Sequence, residues 1–486
     1  MTFVPKKLTI QELVKLVFPE EVKKTPEELF EHMFSEDELM FVFHEKFSDT
    51  SGKGIDRVNG FQFALQAKNQ ISIASRKCLD GTYRFAPYLE VLKLKGRGKA
   101  PRIIGIPTVR DRIVLCQLNR YLAQLFPDRV PKNVAATYVR RVAEDLSKSS
   151  QEDTWVCSTD IKTFYDTIQR PRLLNVLGKR VKSKSAISLL SHALQAPTVP
   201  KNTQRHRQSE FREKNGVPQG LAISNILASI YMQDVDEAMG KYGVTYYRYV
   251  DDVLMYGTHE KVHAAFSSLQ RRLQRRGLGL HSLTSGKSQI APLSKSFGYL
   301  GYVFQGETIT VRDSTIEKLI QSIAAKFSDF RHNKAKRLER FKYLNEERLK
   351  EIFLLELNER ITGAVQEDKR YGWIAYFSQI TDLELLHKLD SAISGLFSRL
   401  HEFDNSAPPG LKKLRRSYWE MKFNPHGGYI RDYDAITTIA QQLDFLRVRG
   451  RVSDEETLTD EQITARYKKY VNHNLAAMQA DEGAVY

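Results

Sequence analysis

Two clusters of acidic residues carry the clearest chemical signal in the sequence. In the segment TYYRYVDDVLMYG (245–257), Asp251 and Asp252 stand side by side between two runs of β-forming residues. Earlier in the chain, Asp160 ends the run WVCSTD and Asp166 follows it closely. Carboxylate oxygens are ligands that Mg²⁺ prefers, and two such ions about 3.5–4 Å apart support in-line phosphoryl transfer. The clusters therefore predict a divalent-metal site if they meet in space, whereas an Asp-Asp pair in an exposed turn is usually only solvated.

The strands predicted around these acids would bring the two clusters together. The flanking runs predict two strands joined by a two-residue turn that Asp251 and Asp252 form, because Asp tolerates positive φ better than most residues. Asp160 is predicted at the end of another strand. A strand end would then face a hairpin turn on one antiparallel sheet, with helices packed on it.

A glycine-flanked turn separates the two clusters in NGVPQGLAISNILASIY (215–231). Gly216 and Gly220 are expected to let the backbone approach a ligand closely. The amide of Gln219 can offer a donor and an acceptor together. The plainer interpretation is a turn that opens a helix.

A basic hairpin is predicted in YLEVLKLKGRGKAPRIIGIP (88–107), followed by an amphipathic helix from about Asp111. Its cations suit a triphosphate or a nucleic-acid backbone, although an exposed basic turn is the alternative. These cations are Lys93, Lys95, Arg97, Lys99 and Arg102. Further along, Gly286-Lys287-Ser288 does not complete a P-loop, because His281 stands where that motif needs glycine.

The composition narrows the class of protein. Lys and Arg number 74 against 58 Asp and Glu, so the net charge of +16 favours a polyanionic partner. No run is long and apolar enough to cross a bilayer, and the N-terminus lacks the apolar core of a signal peptide. Three scattered cysteines, Cys78, Cys116 and Cys157, argue against a zinc ribbon or a disulfide framework and favour a cytoplasmic location.

Seven segments resemble, in the order in which they occur along the chain, the successive blocks of bacterial reverse transcriptases. The group II intron and retron enzymes are the most similar relatives. A later stretch, ERITGAVQEDKRYGWIAYF (359–377), resembles the thumb of the intron type. The extra helical residues after it make the chain most like the defence-associated enzymes, including the abortive-infection and unknown-group types. The seven segments are SGKGIDRVNG, KGRGKAPRIIGIPTVRDRIV, STDIKTFYDTI, GVPQGLAISNILASIYM, YRYVDD, LHSLTSGKS and FGYLGYVF.

The resemblance implies an α+β fold, the right-hand polymerase, with fingers and palm on an antiparallel sheet. Residues 1–150 would form N-terminal helices and fingers, and residues 151–310 the palm with a finger insertion at about 171–215. Residues 311–403 would form an all-helical thumb whose basic helices track duplex phosphates. A helical extension, residues 404–486, would follow the linker DNSAPPG (404–410).

The resemblance also assigns residues to roles. Two Mg²⁺ ions are expected, with Mn²⁺ as a substitute. The implied metal ligands are Asp160, the backbone carbonyl of Ile161, Asp251 and Asp252. The implied catalytic residues are Asp160, Asp251, Asp252 and Lys287. The implied nucleotide-binding residues are Lys95, Arg102, Ile161, Tyr165 and Gln219.

Each of these residues has an expected task. Lys95 and Arg102 match the fingertip residues on the triphosphate, and Gln219 would lie beside the incoming nucleotide. Tyr165 matches the aromatic gate that leaves no room for a ribose 2′-hydroxyl. Lys287 matches the lysine that protonates departing pyrophosphate, and FGYLGYVF (297–304) would grip the primer strand.

The expected activity is RNA-directed DNA polymerisation, with a role in bacterial anti-phage defence. The expected partners are dNTPs, the DNA product and an RNA template, for which a dedicated non-coding RNA is one candidate, and no membrane. A homo-oligomer or partner protein stays open, as does priming on a protein hydroxyl such as that of Tyr486. Alternatives are an intron-type or retron-type enzyme, and a non-catalytic nucleic-acid-binding relative. An RNA-dependent RNA polymerase would usually carry Asp where Tyr165 stands.

Overall fold

The computed structural model describes residues 24–93, 100–130, 134–150 and 152–481. Lys95, Arg97, Lys99 and Tyr486, which the sequence analysis singled out, lie outside the described residues. The chain divides into two compact units. The first unit comprises Met1–Val130 and Tyr165–Gln233, and the second Pro131–Phe164 and Asp234–Tyr486.

The described helices are α1 (Pro26–Met33), α2 (Glu36–Lys46), α3 (Gly60–Ala64), α4 (Ala67–Leu79), α5 (Val109–Leu125), α6 (Ala135–Leu146), α7 (Phe164–Thr167), α8 (Arg170–Gly178), α9 (Lys184–Gln195), α10 (Ser224–Tyr231), α11 (Gln233–Met239), α12 (His259–Gln274), α13 (Asp313–Arg340), α14 (Glu346–Thr362), α15 (Trp373–Tyr376), α16 (Leu383–Gly395), α17 (Leu414–Phe423), α18 (Ile439–Val448) and α19 (Asp460–Asp481). None of these helices combines the length and the apolar character that crossing a lipid bilayer requires.

The described strands are β1 (Tyr88–Lys93), β2 (Arg102–Ile106), β3 (Trp155–Asp160), β4 (Thr198–Val199), β5 (Thr245–Tyr249), β6 (Asp252–Gly257), β7 (Gln289–Pro292), β8 (Phe297–Tyr299), β9 (Tyr302–Gln305), β10 (Thr308–Val311), β11 (Ala364–Gln366), β12 (Lys369–Tyr371) and β13 (Arg431–Asp432). Together with the helices, these strands form a mixed α+β fold, as the sequence predicts.

Helices dominate the first unit, around a small sheet with strand order β2-β1-β4. Helix α1 begins with a capping box, in which the Thr25 side chain accepts from the Glu28 backbone and the Glu28 side chain accepts from the Thr25 backbone. The predicted hairpin of β1 and β2 is present, and β2 ends just before Pro107. Helix α5 begins after the capping residue Thr108, close to the predicted start.

The second unit contains a four-stranded sheet with strand order β5-β6-β3-β7, in which all neighbours are antiparallel. The segment FGYLGYVF (297–304) forms β8 and most of β9, which belong to a separate three-stranded sheet. One hydrophobic core cluster includes Val156 and Leu254 from the first sheet, Tyr299 from the second and Phe353 from α14. The strands that carry the acidic clusters are therefore anchored in a continuous core.

The prediction that Asp251 and Asp252 form the hairpin turn is wrong by one residue. Tyr249 pairs with Asp252, so the turn residues are Val250 and Asp251 and Asp252 opens β6. The positive φ angle falls on Val250, at 56°. A β-branched residue is strained there, which is why local turn preferences misplace this turn.

The prediction of an all-helical region from residue 311 is also wrong in one part. Strands β11 and β12 form a hairpin, and β13 from the C-terminal region adds to it in parallel. Glu367 and Asp368 both have positive φ, the geometry of a primed hairpin turn. The Asp434 carboxylate accepts from both of their backbone N–H groups, so a residue distant in sequence holds this turn.

Candidate active site

The three predicted catalytic carboxylates meet at one end of the sheet in the second unit. Asp160 ends β3 and lies opposite Asp252, the first residue of β6. Asp251 occupies the adjoining turn, and its backbone oxygen accepts from the backbone N–H of Ile161 at 3.0 Å. Because β3 is an inner strand, paired with β6 on one side and β7 on the other, backbone pairing fixes these positions.

Electrostatics at this end of the sheet disfavours negative charge. Burial, and then the neighbouring charges of Asp251 and Asp160, raise the pKa of Asp252 to about 7, while Arg312 acts in the opposite direction. The Arg312 guanidinium lies against Gly298, where an added Cβ would come within 2.8 Å of it. Burial, with the neighbouring acids, therefore makes the ionised form of Asp252 unfavourable at this end of the sheet.

A half-buried ion pair supports the strained turn. Arg248 donates from Nε and Nη2 to the two carboxylate oxygens of Asp236, at 2.7 and 2.6 Å. Its Nη1 donates to the backbone oxygen of Val250 at 2.8 Å. Tyr246 adds a hydroxyl bond of 3.0 Å to Asp236. Arg248 thereby holds the turn that carries Asp251.

His281 is a neighbour of the site that the sequence analysis missed. Its Nε2 lies 3.5 Å from Oδ2 of Asp160 and 3.5 Å from Nζ of Lys287. The His281 backbone N–H donates to the backbone oxygen of Asp160, and the His281 backbone oxygen accepts from the Ser288 hydroxyl. These bonds fix the segment against β3. Burial, followed by the charges of Lys287 and Lys162, lowers the pKa of His281 against the opposing effect of Asp160. The signal was its position in LHSLTSGKS, six residues before Lys287.

The donor set at the sheet end fits a hard divalent cation in its chemistry. Three carboxylates and the Ile161 carbonyl could supply oxygen ligands. The pKa of Asp252 is raised first by burial and then by the charges of Asp251 and Asp160. Within the described ranges, no three His, Cys, Asp or Glu side chains are already arranged around a metal position. The backbone thus brings the acids together, while the Asp160 side chain lies beside His281.

The remaining predicted residues belong to the first unit, and two of them share one network. The Gln219 side chain donates to Asp166 at 3.1 Å, and its backbone oxygen accepts from Gly105 at 2.8 Å. The Tyr165 backbone oxygen accepts from Val217 at 2.8 Å. The Tyr165 hydroxyl donates to Oδ1 of Asn225 at 2.5 Å, which fixes the ring.

The two glycines of this turn approach the chain's own backbone. An added Cβ at Gly216 would lie 2.9 Å from the backbone oxygen of Asp166, and one at Gly220 would lie 3.0 Å from that of Gly105. Both glycines have positive φ, 86° and 97°. The sequence predicts that these two glycines let the backbone approach a ligand closely. In the structure they let it approach the chain's own backbone, and this packing sets the position of Gln219.

Arg102 lies at the end of the β1–β2 hairpin where the connection between the two strands begins and ends. It is paired in register with Lys93, so that two cations face each other where the strands lead into residues 94–99. The structure thus brings Asp160, Ile161, Asp251, Asp252 and Lys287 into the second unit. Arg102, Tyr165 and Gln219 belong to the first unit.

Residues 94–304 match the protein family described as reverse transcriptase (RNA-dependent DNA polymerase). This region contains β3, the β5–β6 hairpin and the segment of Lys287. Residues 94–304 are therefore similar to a reverse transcriptase domain.

Named relatives share the same part of the chain. Protein YkfC of Escherichia coli is 24% identical over 193 residues, which cover 38% of this chain and 49% of that protein. The group II intron-encoded protein LtrA of Lactococcus lactis is 23% identical over 204 residues, 40% of this chain and 32% of that protein. The similarity thus spans about half of the first relative and a third of the second. Among solved structures, apo telomerase of Candida tropicalis aligns with a TM-score of 0.42 at 14% identity, covering 90% of this chain and 74% of that one.

Proposed function

We propose that this chain is an RNA-directed DNA polymerase that extends DNA with deoxynucleotides along an RNA template. One observation carries the proposal: the backbone places Asp160 opposite Asp252, with Asp251 in the adjoining turn, inside the region that matches the reverse transcriptase family. Carboxylates fixed on a rigid sheet are what metal-assisted phosphoryl transfer requires.

The metal-binding groups would be the carboxylates of Asp160, Asp251 and Asp252 and the carbonyl of Ile161. Two Mg²⁺ ions bound there would lower the pKa of the attacking hydroxyl and neutralise charge on the leaving phosphates. Lys287 would donate a proton to departing pyrophosphate. Arg102 and Lys95 would bind the triphosphate through charge-assisted hydrogen bonds.

The nucleotide side of the site would depend on the network around Tyr165. Its ring is fixed by the hydroxyl bond to Asn225, and a fixed ring can exclude a 2′-hydroxyl sterically. Gln219, bonded to Asp166 and to β2, would contact the incoming nucleotide. The first unit would form the fingers. The second unit would contribute the palm, the thumb from residue 311 and the C-terminal extension.

The basic thumb segment 332–350 would contact the template–product duplex through only part of its charge. Ion pairs engage Lys334 with Glu402 and Glu346, and Arg348 with Glu351. Arg337 pairs with Asp329, and Lys350 with Glu347. In the part of the chain that the structure describes, no carboxylate pairs with the three remaining cations of the segment, which we assign to phosphates: Lys336, Arg340 and Lys342.

The deciding experiment supplies purified protein with Mg²⁺, an RNA template annealed to a DNA primer, and labelled dNTPs or rNTPs. Wild-type protein should incorporate dNTPs, and the Asp251→Ala, Asp252→Ala variant should lose incorporation. Tyr165→Ala should shift the rNTP-to-dNTP ratio by about tenfold or more, whereas Tyr165→Phe, which keeps the ring, should not. Equal incorporation by wild type and the double variant would refute the assignment of the carboxylates.

We also propose a role in bacterial anti-phage defence, which the resemblance of the thumb and the extension to defence-associated enzymes supports. An intron-type or retron-type enzyme is the alternative. The same double variant serves as the control in a phage plating assay. Protection by the wild type and loss of protection in the variant would favour defence, and equal plating on both strains would remove this role.

A further inference from the structure

Helix α17 is fixed to the second unit along one face. Leu414, Ser417, Tyr418 and Met421 are buried, at the i, i+3, i+4, i+7 spacing of an amphipathic helix. The Asp390 carboxylate accepts from the backbone N–H groups of Leu414 and Arg415, at 2.6 and 3.2 Å. At the other end, Arg370 donates to the backbone oxygen of Met421 at 2.7 Å. The helix is thus held at both ends.

The opposite face presents aromatic rings to solvent. Trp419 is 48% exposed and Phe423 is 65% exposed, and the two rings stack with centroids 5.3 Å apart and planes at 23°. They lie one helical turn apart, and Arg415 precedes Trp419 by the same interval, so the three side chains share a line on the helix. Large rings left exposed on a rigid helix usually mark an interaction site.

The surroundings of these rings are strongly basic. Residues 412–422 carry five Lys or Arg and a single acid, Glu420. Glu420 is itself engaged by Arg416 at 3.2 Å. Within the ranges that the structure covers, no carboxylate lies within ion-pair distance of Lys413, Arg415 or Lys422. Lys422 stays close to the rings, with Nζ 5.7 Å from the centre of Phe423. The patch therefore complements a polyanion that also carries flat, stackable groups.

We propose that this surface, defined by Lys413, Arg415, Trp419, Lys422 and Phe423, binds single-stranded RNA by stacking unpaired bases on the aromatic pair. Aromatic platforms flanked by cations are how proteins hold single strands without reading their sequence. The choice of RNA rests on the proposed function, in which the template enters as an unpaired RNA strand and the product leaves as a duplex. Bases in a duplex are stacked on each other and cannot use the platform.

A second copy of the chain or a protein partner fits this surface less well. The exposed apolar area is confined to two rings, and the positive charges around them would repel an identical surface. A protein interface of standard size buries about 800 Å² on each partner and is depleted of lysine at its centre.

The test measures binding of a labelled 12-nucleotide single-stranded RNA of mixed sequence to the full chain by fluorescence anisotropy, without nucleotides or divalent cations. Trp419→Ala, Phe423→Ala should bind about tenfold more weakly or worse, given typical losses per stacked base. Trp419→Phe, Phe423→Tyr keeps both rings and should stay within about threefold of wild type. Phe41→Ala, which removes a 59% exposed ring from α2, is the matched control and should bind normally. Affinity for an RNA–DNA duplex should be unchanged in all of these variants.

Three results would overturn the proposal. The first is wild-type RNA affinity in the double alanine variant. The second is tighter binding of single-stranded DNA than of single-stranded RNA by the wild type, with an equal loss of affinity for both in the double alanine variant. The third is a wild-type dimer that the alanine variant dissociates without change in RNA affinity. RNA binding is measured without polymerisation, so the two proposals can fail separately. If the wild type does not polymerise but the alanine variant still binds RNA more weakly, only the polymerase function is refuted. If the wild type polymerises and the alanine variant binds RNA equally well, only this surface is refuted.

Discussion

Two acidic sites of the second unit are built in opposite ways. Glu359 of α14 is buried and fully engaged: Arg449 and Arg431 pair with its Oε1, and Asn474 donates to its Oε2 at 2.8 Å. The Arg449 guanidinium also lies 3.6 Å from the centre of the Phe445 ring. At the end of the four-stranded sheet, three carboxylates share one corner, and Arg312 is the cation that acts on Asp252.

This is the difference expected between an acid that supports the fold and acids proposed to bind a metal. A buried carboxylate that only supports the fold brings its own counter-charges, and two arginines do so for Glu359. Strand register holds Asp160 opposite Asp252, and Asp251 precedes Asp252 in the chain, although these charges repel. Burial, and then the charges of Asp251 and Asp160, raise the pKa of Asp252. The second arrangement is useful where an external cation supplies the missing charge, since such a site is completed only on binding.

The largest effect on stability is expected at the structural acid. Glu359→Ala would leave Arg449 and Arg431 without their carboxylate, and breaking a buried pair in this way costs about 3–5 kcal/mol. All three tryptophans lie in the second unit, so urea unfolding followed by tryptophan fluorescence reports on it. Glu384→Gln, which removes an exposed pair with Lys388, is the matched control and should leave the urea midpoint nearly unchanged, because exposed ion pairs contribute little. An unchanged urea midpoint for Glu359→Ala would contradict the comparison.

Substitution of Asp252 is expected to stabilise the metal-free protein, whereas substitution of Glu359 is expected to destabilise it. Its folded pKa of about 7 lies above its ordinary value, so the folded state keeps a proton that the unfolded state releases as pH rises from about 4. The stability of the metal-free protein therefore falls between pH 4 and 7, and the cost is fully present above pH 7. Asp252→Asn removes this cost and should stabilise the metal-free protein at pH 8 by up to about 4 kcal/mol. The gain should vanish near pH 4.

The control for this measurement is Asp153→Asn, the same substitution at an exposed acid just before β3, which should not reproduce the gain in stability at pH 8. Adding Mg²⁺ should stabilise wild type and not Asp252→Asn. A variant that is less stable than wild type at pH 8 without metal would show that Asp252 is satisfied like Glu359.

Much of the site's framework was predictable from local pattern. The strands β3, β5, β6, β8 and β9 follow from runs of β-forming residues, and the capping box of α1 follows from Thr25 and Glu28. That Asp160 would meet the acidic pair also followed, because both sit at strand ends on one predicted sheet. These features depend on residues close together in sequence.

The rest depends on contacts that sequence separation hides. The turn shifts to Val250 and Asp251 because Arg248, bound to Asp236, holds the Val250 carbonyl. The β11–β12 turn depends on Asp434, and Gly216 and Gly220 serve packing inside the first unit. The place of His281 beside Asp160 required the pairing of its segment with β3. Local propensity gives the elements, and tertiary contacts decide their exact ends.

The smallest effect tests whether strain at the functional site serves its geometry. Val250→Gly removes a side chain at φ of 56° and should stabilise the protein by about 0.5–1 kcal/mol, since relief of strain exceeds the entropic cost of glycine. Deoxynucleotide incorporation should nevertheless fall, because a freer turn holds Asp251 less firmly opposite Ile161. Glu367→Gly makes the same backbone change at φ of 52° in the β11–β12 turn, so it should give a similar gain in stability with incorporation unchanged. Equal incorporation by both variants would mean that the Arg248–Asp236 pair positions Asp251 without any need for the strained residue.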